Sequence, residues 1–160
     1  MPTEFDAIDR RILAQLQEDA SLTNESLARL VHVSPATCLR RVRRLRESGV
    51  IERTVAILSP EAVGQGLAVI VEITLEQQNT EWLARFEVRA MEEAAVQQCY
   101  RTSSGPDFVL ILHVASMDDY HALAHRLLSA DAHVRNVRAF FAVKRSKFAT
   151  ALPLRESPVS

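Results

Sequence analysis

Apolar residues in the first third of the chain recur at helical spacing, whereas those in the remainder gather in short β-branched runs. Ile8, Ile12, Leu13 and Leu16 share one side of a helical repeat over residues 6–17, which predicts an amphipathic helix. Ser21-Leu22-Thr23 breaks that pattern, and Thr23 is placed to cap a second helix carrying Leu27, Leu30 and Val31. A short turn, Val31-His32-Val33, leads into a third helix. Ser34 offers its hydroxyl to the first free N–H groups there, and Pro35 fits the first position, where its missing N–H costs nothing. Leu39, Val42 and Leu45 form the apolar stripe of this helix, and Gly49 suits the residue just past its end. Two helices joined by a tight turn make a helix-turn-helix motif over about residues 24–43.

Residues 50–58 are β-branched and apolar enough for a strand or a hairpin wing. Ser59-Pro60-Glu61 then restarts a turn, and Gly64 and Gly66 loosen the chain. Residues 59–66 therefore read as a hinge between a DNA-binding-type domain over 1–58 and a second domain over 67–147, with a tail at 148–160. In that second domain the strand pattern runs over 67–75, 96–103, 107–115 and 134 to about 144. Helical patterns intervene at 80–93, with Leu83, Phe86 and Ala90 on one side, and at 118–129, with Tyr120, Leu123, Leu127 and Leu128 and with Asp118 as cap. The order βαββαβ is ferredoxin-like. The fold class is therefore α+β, a winged helix-turn-helix domain followed by a ferredoxin-like domain.

Charge changes the picture at one place. The net charge of −1 is nearly balanced along the chain, with nine arginines and eight acids in residues 1–58 and a small acidic excess after them. Within that balance the third helix holds Arg40, Arg41, Arg43, Arg44 and Arg46, and no acid precedes Glu47. A solvated helix of ordinary composition mixes acids with bases; this one is built to meet something negative. With Val42 at the centre of the buried stripe, a step of ~100° per residue turns Thr37, Arg40 and Arg44 directly outward. Ala36, Arg41 and Arg43 flank them, and Cys38 and Arg46 lean toward the core. In a helix-turn-helix this helix enters the major groove of double-stranded DNA and offers its N-terminal residues to base edges. The predicted DNA-binding set is Ser34, Ala36, Thr37, Arg40, Arg41, Arg43 and Arg44. Arg40, Arg44 and Thr37 are assigned to base or groove-floor contact, and Arg41 and Arg43 to phosphates.

Composition narrows the other options. Two cysteines, Cys38 and Cys99, fall in separate elements and read as reduced thiols. No apolar run approaches the ~18 residues of a membrane span, and no signal core opens the chain, so a cytoplasmic protein without a membrane partner is expected. His121 and His125 stand four apart on one helix but lack a third ligand, so no metal site is predicted. There is no phosphate-binding glycine loop and no nucleophile elbow around Ser103 or Ser104, so neither a catalytic residue nor a cofactor is predicted. His113 lies on an apolar strand and Trp82 in an apolar helix pattern, where core roles are expected.

The run Asp9-Arg10-Arg11-Ile12-Leu13, then Leu27-Ala28, then Leu39-Arg40-Arg41-Val42-Arg43-Arg44-Leu45 with Gly49-Val50-Ile51 resembles the leucine-responsive/asparagine-responsive (Lrp/AsnC) transcription regulators. Val143-Lys144 and Thr150-Ala151-Leu152-Pro153-Leu154 resemble that family's closing signature, so the likeness runs to about residue 154. Relatives commonly open the recognition helix with Ser-Pro-x-Pro-Cys; here Thr37 stands at the second proline, and the resemblance carries no operator sequence with it. It implies a C-terminal effector-binding and assembly domain, and homodimers gathered into octamers. It also implies an amino acid or related metabolite as effector at the turn Ser104, Gly105, Pro106 and Asp107. Relatives often read Gly-acid-x-Asp there, and in this chain Ser104 replaces the glycine and Gly105 the first acid. The predicted function is a DNA-binding transcription regulator modulated by such a metabolite. The alternatives are a constitutive, architectural DNA-wrapping protein and an enzyme like the sirohaem decarboxylases, which resemble the same two-domain architecture.

Overall fold

A computed structural model describes residues 5–77, 79–129 and 133–154. Residues 1–4 of the expected first domain and 155–160 of the expected tail lie outside the described residues. The chain forms two compact units, one of residues 1–56 with 147–160, the other of residues 57–146.

The first unit is built on α1 (Ala7–Glu18), α2 (Asn24–Leu30) and α3 (Pro35–Glu47). Each start is capped from sequence: Asp6 accepts from the N–H groups of Ile8 and Asp9, Thr23 from Ser26, and Ser34 from Thr37. Between α2 and α3, His32 takes the left-handed conformation (φ 57°), which closes the turn in few residues. Asn24 Nδ2 donates to the Pro35 carbonyl at 2.9 Å and ties the starts of the two helices together. Ile12, Leu13, Leu27, Ala28, Val31, Cys38, Val42 and Leu45 form the core, and Leu154 of the tail packs against it. Gln17 exchanges two hydrogen bonds with the backbone of Leu152, fixing the tail to α1.

Two features of this stretch depart from the sequence pattern. Leu30 and Leu39, expected in apolar stripes, are more than half exposed, and Ala28 and Cys38 fill those core positions. Residues 52–58 pair with no strand among the described residues, so the expected wing is a segment without regular secondary structure, and Val55, Ile57 and Leu58 stand exposed. A β-branched run fits a strand only where a neighbour supplies the ladder, and none among the described residues does. Residues 59–66 form a hydrogen-bonded turn, with the N–H groups of Val63, Gly64 and Gln65 donating to the carbonyls of Ser59, Glu61 and Pro60.

The second unit is a four-stranded antiparallel sheet in the order β2-β3-β1-β4, from β1 (Leu67–Leu75), β2 (Val96–Arg101), β3 (Phe108–Val114) and β4 (Val134–Phe141). Helices α4 (Thr80–Glu92) and α5 (Met117–Ala124) complete the βαββαβ order. Alternation decides the layers. Val69, Val71, Ile73 and Leu75 of β1, with Phe108, Leu110, Leu112 and Val114 of β3, share one core with Leu83, Phe86 and Ala90 of α4 and with Tyr120 and Leu123 of α5. The alternate residues lie on the opposite face, where Ile70 stands across from Ile111 on one side and Phe140 on the other. His113 shares that face, across from Ala68, with Nδ1 3.2 Å from the Gln65 carbonyl oxygen; it is not the core histidine expected. Ser116, not Asp118, caps α5 through the Asp119 N–H. After Ala124 the helix widens to a π turn (His125–Ser129), whose carbonyls at Arg126 and Leu127 accept from Arg89. Trp82 is half-buried and stacks on His133.

Candidate nucleic-acid interface

The buried stripe of α3 runs through Cys38, Val42 and Leu45. Relative to a stripe through Leu39, this turns the helix by roughly 35° at ~100° per residue. The turn has consequences for every residue of the predicted set. Ala36, Arg40 and Arg43 come to the exposed face, with Ser34 exposed at its start and Leu39, Arg46 and Glu47 exposed around them. Thr37 is half-buried, and Ser34 Oγ donates to its Oγ1 at 2.9 Å. Arg41 turns to the side that α1 occupies, and its outward placement is corrected: its side chain is 16% exposed. Arg44 stays 54% exposed at the edge between the two.

The reason lies in two acids at the start of α1. Asp6 caps that helix, and Asp9 completes the capping box from its third position. Arg41 Nη1 donates to Asp6 Oδ2 at 2.6 Å and to Asp9 Oδ1 at 2.9 Å, and Arg44 Nη2 donates to Asp9 Oδ2. The Asp9 side chain is only 1% exposed, so this is a buried carboxylate held between two guanidinium groups. Removing one partner of such a cluster leaves an uncompensated buried charge, at a cost of about 3–5 kcal/mol. The Asp9 N–H, and to a smaller extent the Arg41 guanidinium, draw the Asp6 carboxyl down from its usual 3.8 to about 2. The same pairing with Asp6 and Asp9 raises Arg41 further above its ordinary range. Among the described residues, Arg40, Arg43 and Arg46 enter no ion pair, so these three carry the uncompensated charge of α3. Sequence reading missed the acid partners, although Asp6-x-x-Asp9 is a legible capping signature. It also missed Leu39 and Arg46 as surface residues.

The turn predicted to hold an effector connects β2 to β3. Ser104 and Gly105 are exposed, Pro106 is half-buried, and Gly105 takes φ 86°, which favours glycine. Thr102 closes it, its N–H donating to the Asp107 carbonyl at 3.0 Å and its hydroxyl to the Pro106 carbonyl. Asp107 is buried, its N–H donating to the Ile73 carbonyl at 2.8 Å and its Oδ2 accepting from the Leu75 N–H at 2.7 Å. Leu75 sits where the pairing of β1 with β4 shifts register, so the carboxylate supplies an acceptor for an N–H beside an irregular stretch of ladder. The turn thus brings Ser104 and Gly105 to the surface and commits Asp107 to the sheet.

The remaining sites are simpler. His121 and His125 are both exposed, and no group of three metal-ligating side chains occurs among the described residues. Cys38 is buried and Cys99 half-buried, and burial pushes both thiols up. No described helix is long and apolar enough to cross a membrane.

Residues 5–52 match the winged helix-turn-helix DNA-binding family, and residues 68–152 match the Lrp/AsnC ligand binding domain. An HTH-type transcriptional regulator of Haemophilus influenzae is 39% identical over 143 residues, 89% of this chain and 85% of the relative. Among solved structures, an AsnC family transcriptional regulator from Agrobacterium tumefaciens superposes with a TM-score of 0.88 at 37% identity, covering 93% of this chain and 97% of that one. A transcriptional regulator from Neisseria meningitidis, solved as a complex with L-methionine, gives 0.85 at 28% identity, covering 94% and 97%.

Proposed function

Because the chain belongs to the Lrp/AsnC family of transcription regulators, and so is a DNA-binding regulator, we propose that α3 reads duplex DNA with the face centred on Ala36, Arg40 and Arg43. Ser34 and Thr37 border that face at the N-terminal end, Arg44 lies at its edge, and Arg41 acts from behind as a structural anchor. The observation that carries this reading is the exposed, unpaired state of Arg40 and Arg43 on a helix in which Arg41 and Arg44 are tied to α1. One short helix reads too few base pairs to be selective, so the regulator works as a homodimer that places two helices about one helical turn of DNA apart. The open sheet face around Ile70, Ile111 and Phe140 supports such pairing, and assembly to an octamer follows the family resemblance. A DNA partner also calls for the cytoplasm.

The effector is an amino acid or related metabolite held by the C-terminal unit. Support comes from the match of residues 68–152 to a ligand binding domain and from the relative that holds L-methionine. At the turn, Ser104 and the Gly105 backbone are the available contacts. Asp107 is buried and its Oδ2 is taken by the Leu75 N–H, so the ammonium of an amino acid is assigned to another residue. Binding at this unit changes DNA affinity through a coupling between two assemblies.

Electrophoretic or fluorescence titration over a salt series tests the DNA face. Arg43→Ala is expected to flatten the slope of log affinity against log salt by about one, alike on all sequences. Arg40→Ala is expected to cost about 1–3 kcal/mol at one base position. Unchanged binding in both variants overturns the α3 assignment. Calorimetric titration with the twenty amino acids tests the effector, and no heat with any of them favours the constitutive DNA-wrapping alternative.

A further inference from the structure

Reading DNA with the outer face of α3 makes no use of the carboxylates at the start of α1, yet these sit against two arginines of that helix. Both oxygens of Asp9 are engaged: Oδ1 accepts from Arg41 at 2.9 Å, and Oδ2 accepts from Arg44 and, at 3.4 Å, from the Asp6 N–H. Arg41 and Arg44 are three residues apart, so they leave α3 on the same side, and one carboxylate grips both. Asp9 is buried, whereas the Arg44 side chain is 54% exposed and keeps most of its guanidinium donors toward solvent. The two acids and two arginines cancel, which leaves Arg40, Arg43 and Arg46 to supply the field that attracts phosphate.

We propose that Asp9 is a positioning residue that sets DNA specificity by holding Arg44 in one orientation and cancelling its charge. An arginine on a free stem finds a phosphate on any duplex and releases a counterion each time, steepening the salt slope by about 0.9 per contact. An arginine already gripped by a buried carboxylate contributes little to indiscriminate attraction. It contributes fully only where the duplex presents an acceptor at the place where its fork is fixed, because its ordering cost is already met. The inference rests on the reading that α3 faces DNA.

The test uses the full chain, a duplex that the wild-type protein selects from a random pool, and a scrambled duplex of the same length and composition. Asp9→Asn keeps the volume and an acceptor but loses the charge. It is expected to tighten binding to the scrambled duplex several-fold, steepen that salt slope by about one, and lower the selected-to-scrambled ratio about tenfold. Adding Arg44→Gln is expected to remove the steepening. An unchanged ratio and slope in Asp9→Asn, or a steepening that persists beside Arg44→Gln, overturns the proposal. Should Asp9→Asn fail to fold, Arg44→Lys keeps the charge and loses the planar fork. A lowered ratio then supports the proposal and an unchanged ratio overturns it. Failure of the α3 reading is seen separately, as a wild-type affinity in Arg40→Ala and a wild-type salt slope in Arg43→Ala on both duplexes.

Discussion

Asp107 shows what a single residue can conceal. In the sequence it sits in Ser104-Gly105-Pro106-Asp107, a composition that reads as a surface turn. In the structure the turn is at the surface, but the aspartate is buried and its Oδ2 takes the Leu75 N–H at 2.7 Å. Nothing in residues 103–108 announces that N–H, because it belongs to a strand 32 positions earlier. Asp107→Ala should therefore act on stability: it strands a buried donor, at about 1–3 kcal/mol. Asp107→Asn keeps an acceptor and should cost less. Urea denaturation of the two variants checks the order. A midpoint unchanged in Asp107→Ala, with effector heat lost, would return the residue to the ligand. Cys38 and Leu39 make the same point. Both are apolar and adjacent, and a pattern that favours leucine over cysteine for the core sets the helix about 35° away from its true roll. Three arginines change role with that small angle.

Elements were legible where the local chemistry is self-contained. The caps Thr23 and Ser34, Pro35 at the first turn of α3, and Gly49 past its end all act within a few residues of chain. The strands β1 to β4 were legible from composition as well, but composition does not say whether a partner strand exists: residues 52–58 carry strand composition and pair with none among the described residues. Gly49 offers a clean test of a local signal. Its φ is 74°, and a Cβ built there meets nothing within 4 Å, so any cost of Gly49→Ala comes from backbone conformation alone. The expected loss is about 1 kcal/mol, read as a lower melting midpoint. Because Gly49 ends α3 without touching its outer face, DNA affinity under folding conditions should stay within twofold or so of wild type. A stability equal to wild type would mean that the end of α3 rearranges at no cost.

At the scale of the whole molecule, the sheet gives the argument for pairing. Its helix-facing side is closed by α4 and α5, while the other side leaves Ile70 and Phe140 exposed, with Tyr100 exposed beyond them on β2. Arg138 lies 3.4 Å from Glu72 and covers the Phe140 ring at 5.2 Å, a polar border to an apolar centre. An apolar centre with a polar edge suits a self-complementary interface, in which the same residues meet across a two-fold axis. Ile70 is central, flanked by Ile111 and Phe140 through its strand pairs. Ile70→Glu places two like charges on facing copies and should raise the dimer dissociation constant about 100-fold, ~2.7 kcal/mol. The fold itself should hold, because this side chain is outside the helix-facing core. Sedimentation velocity over a concentration series reads the shift to monomer. DNA affinity should fall with it, since a monomer carries one recognition helix and loses the effective concentration that joins the two of a dimer. A variant that sediments like wild type would remove the open sheet face as the interface and move the search to the exposed Val55, Ile57 and Leu58.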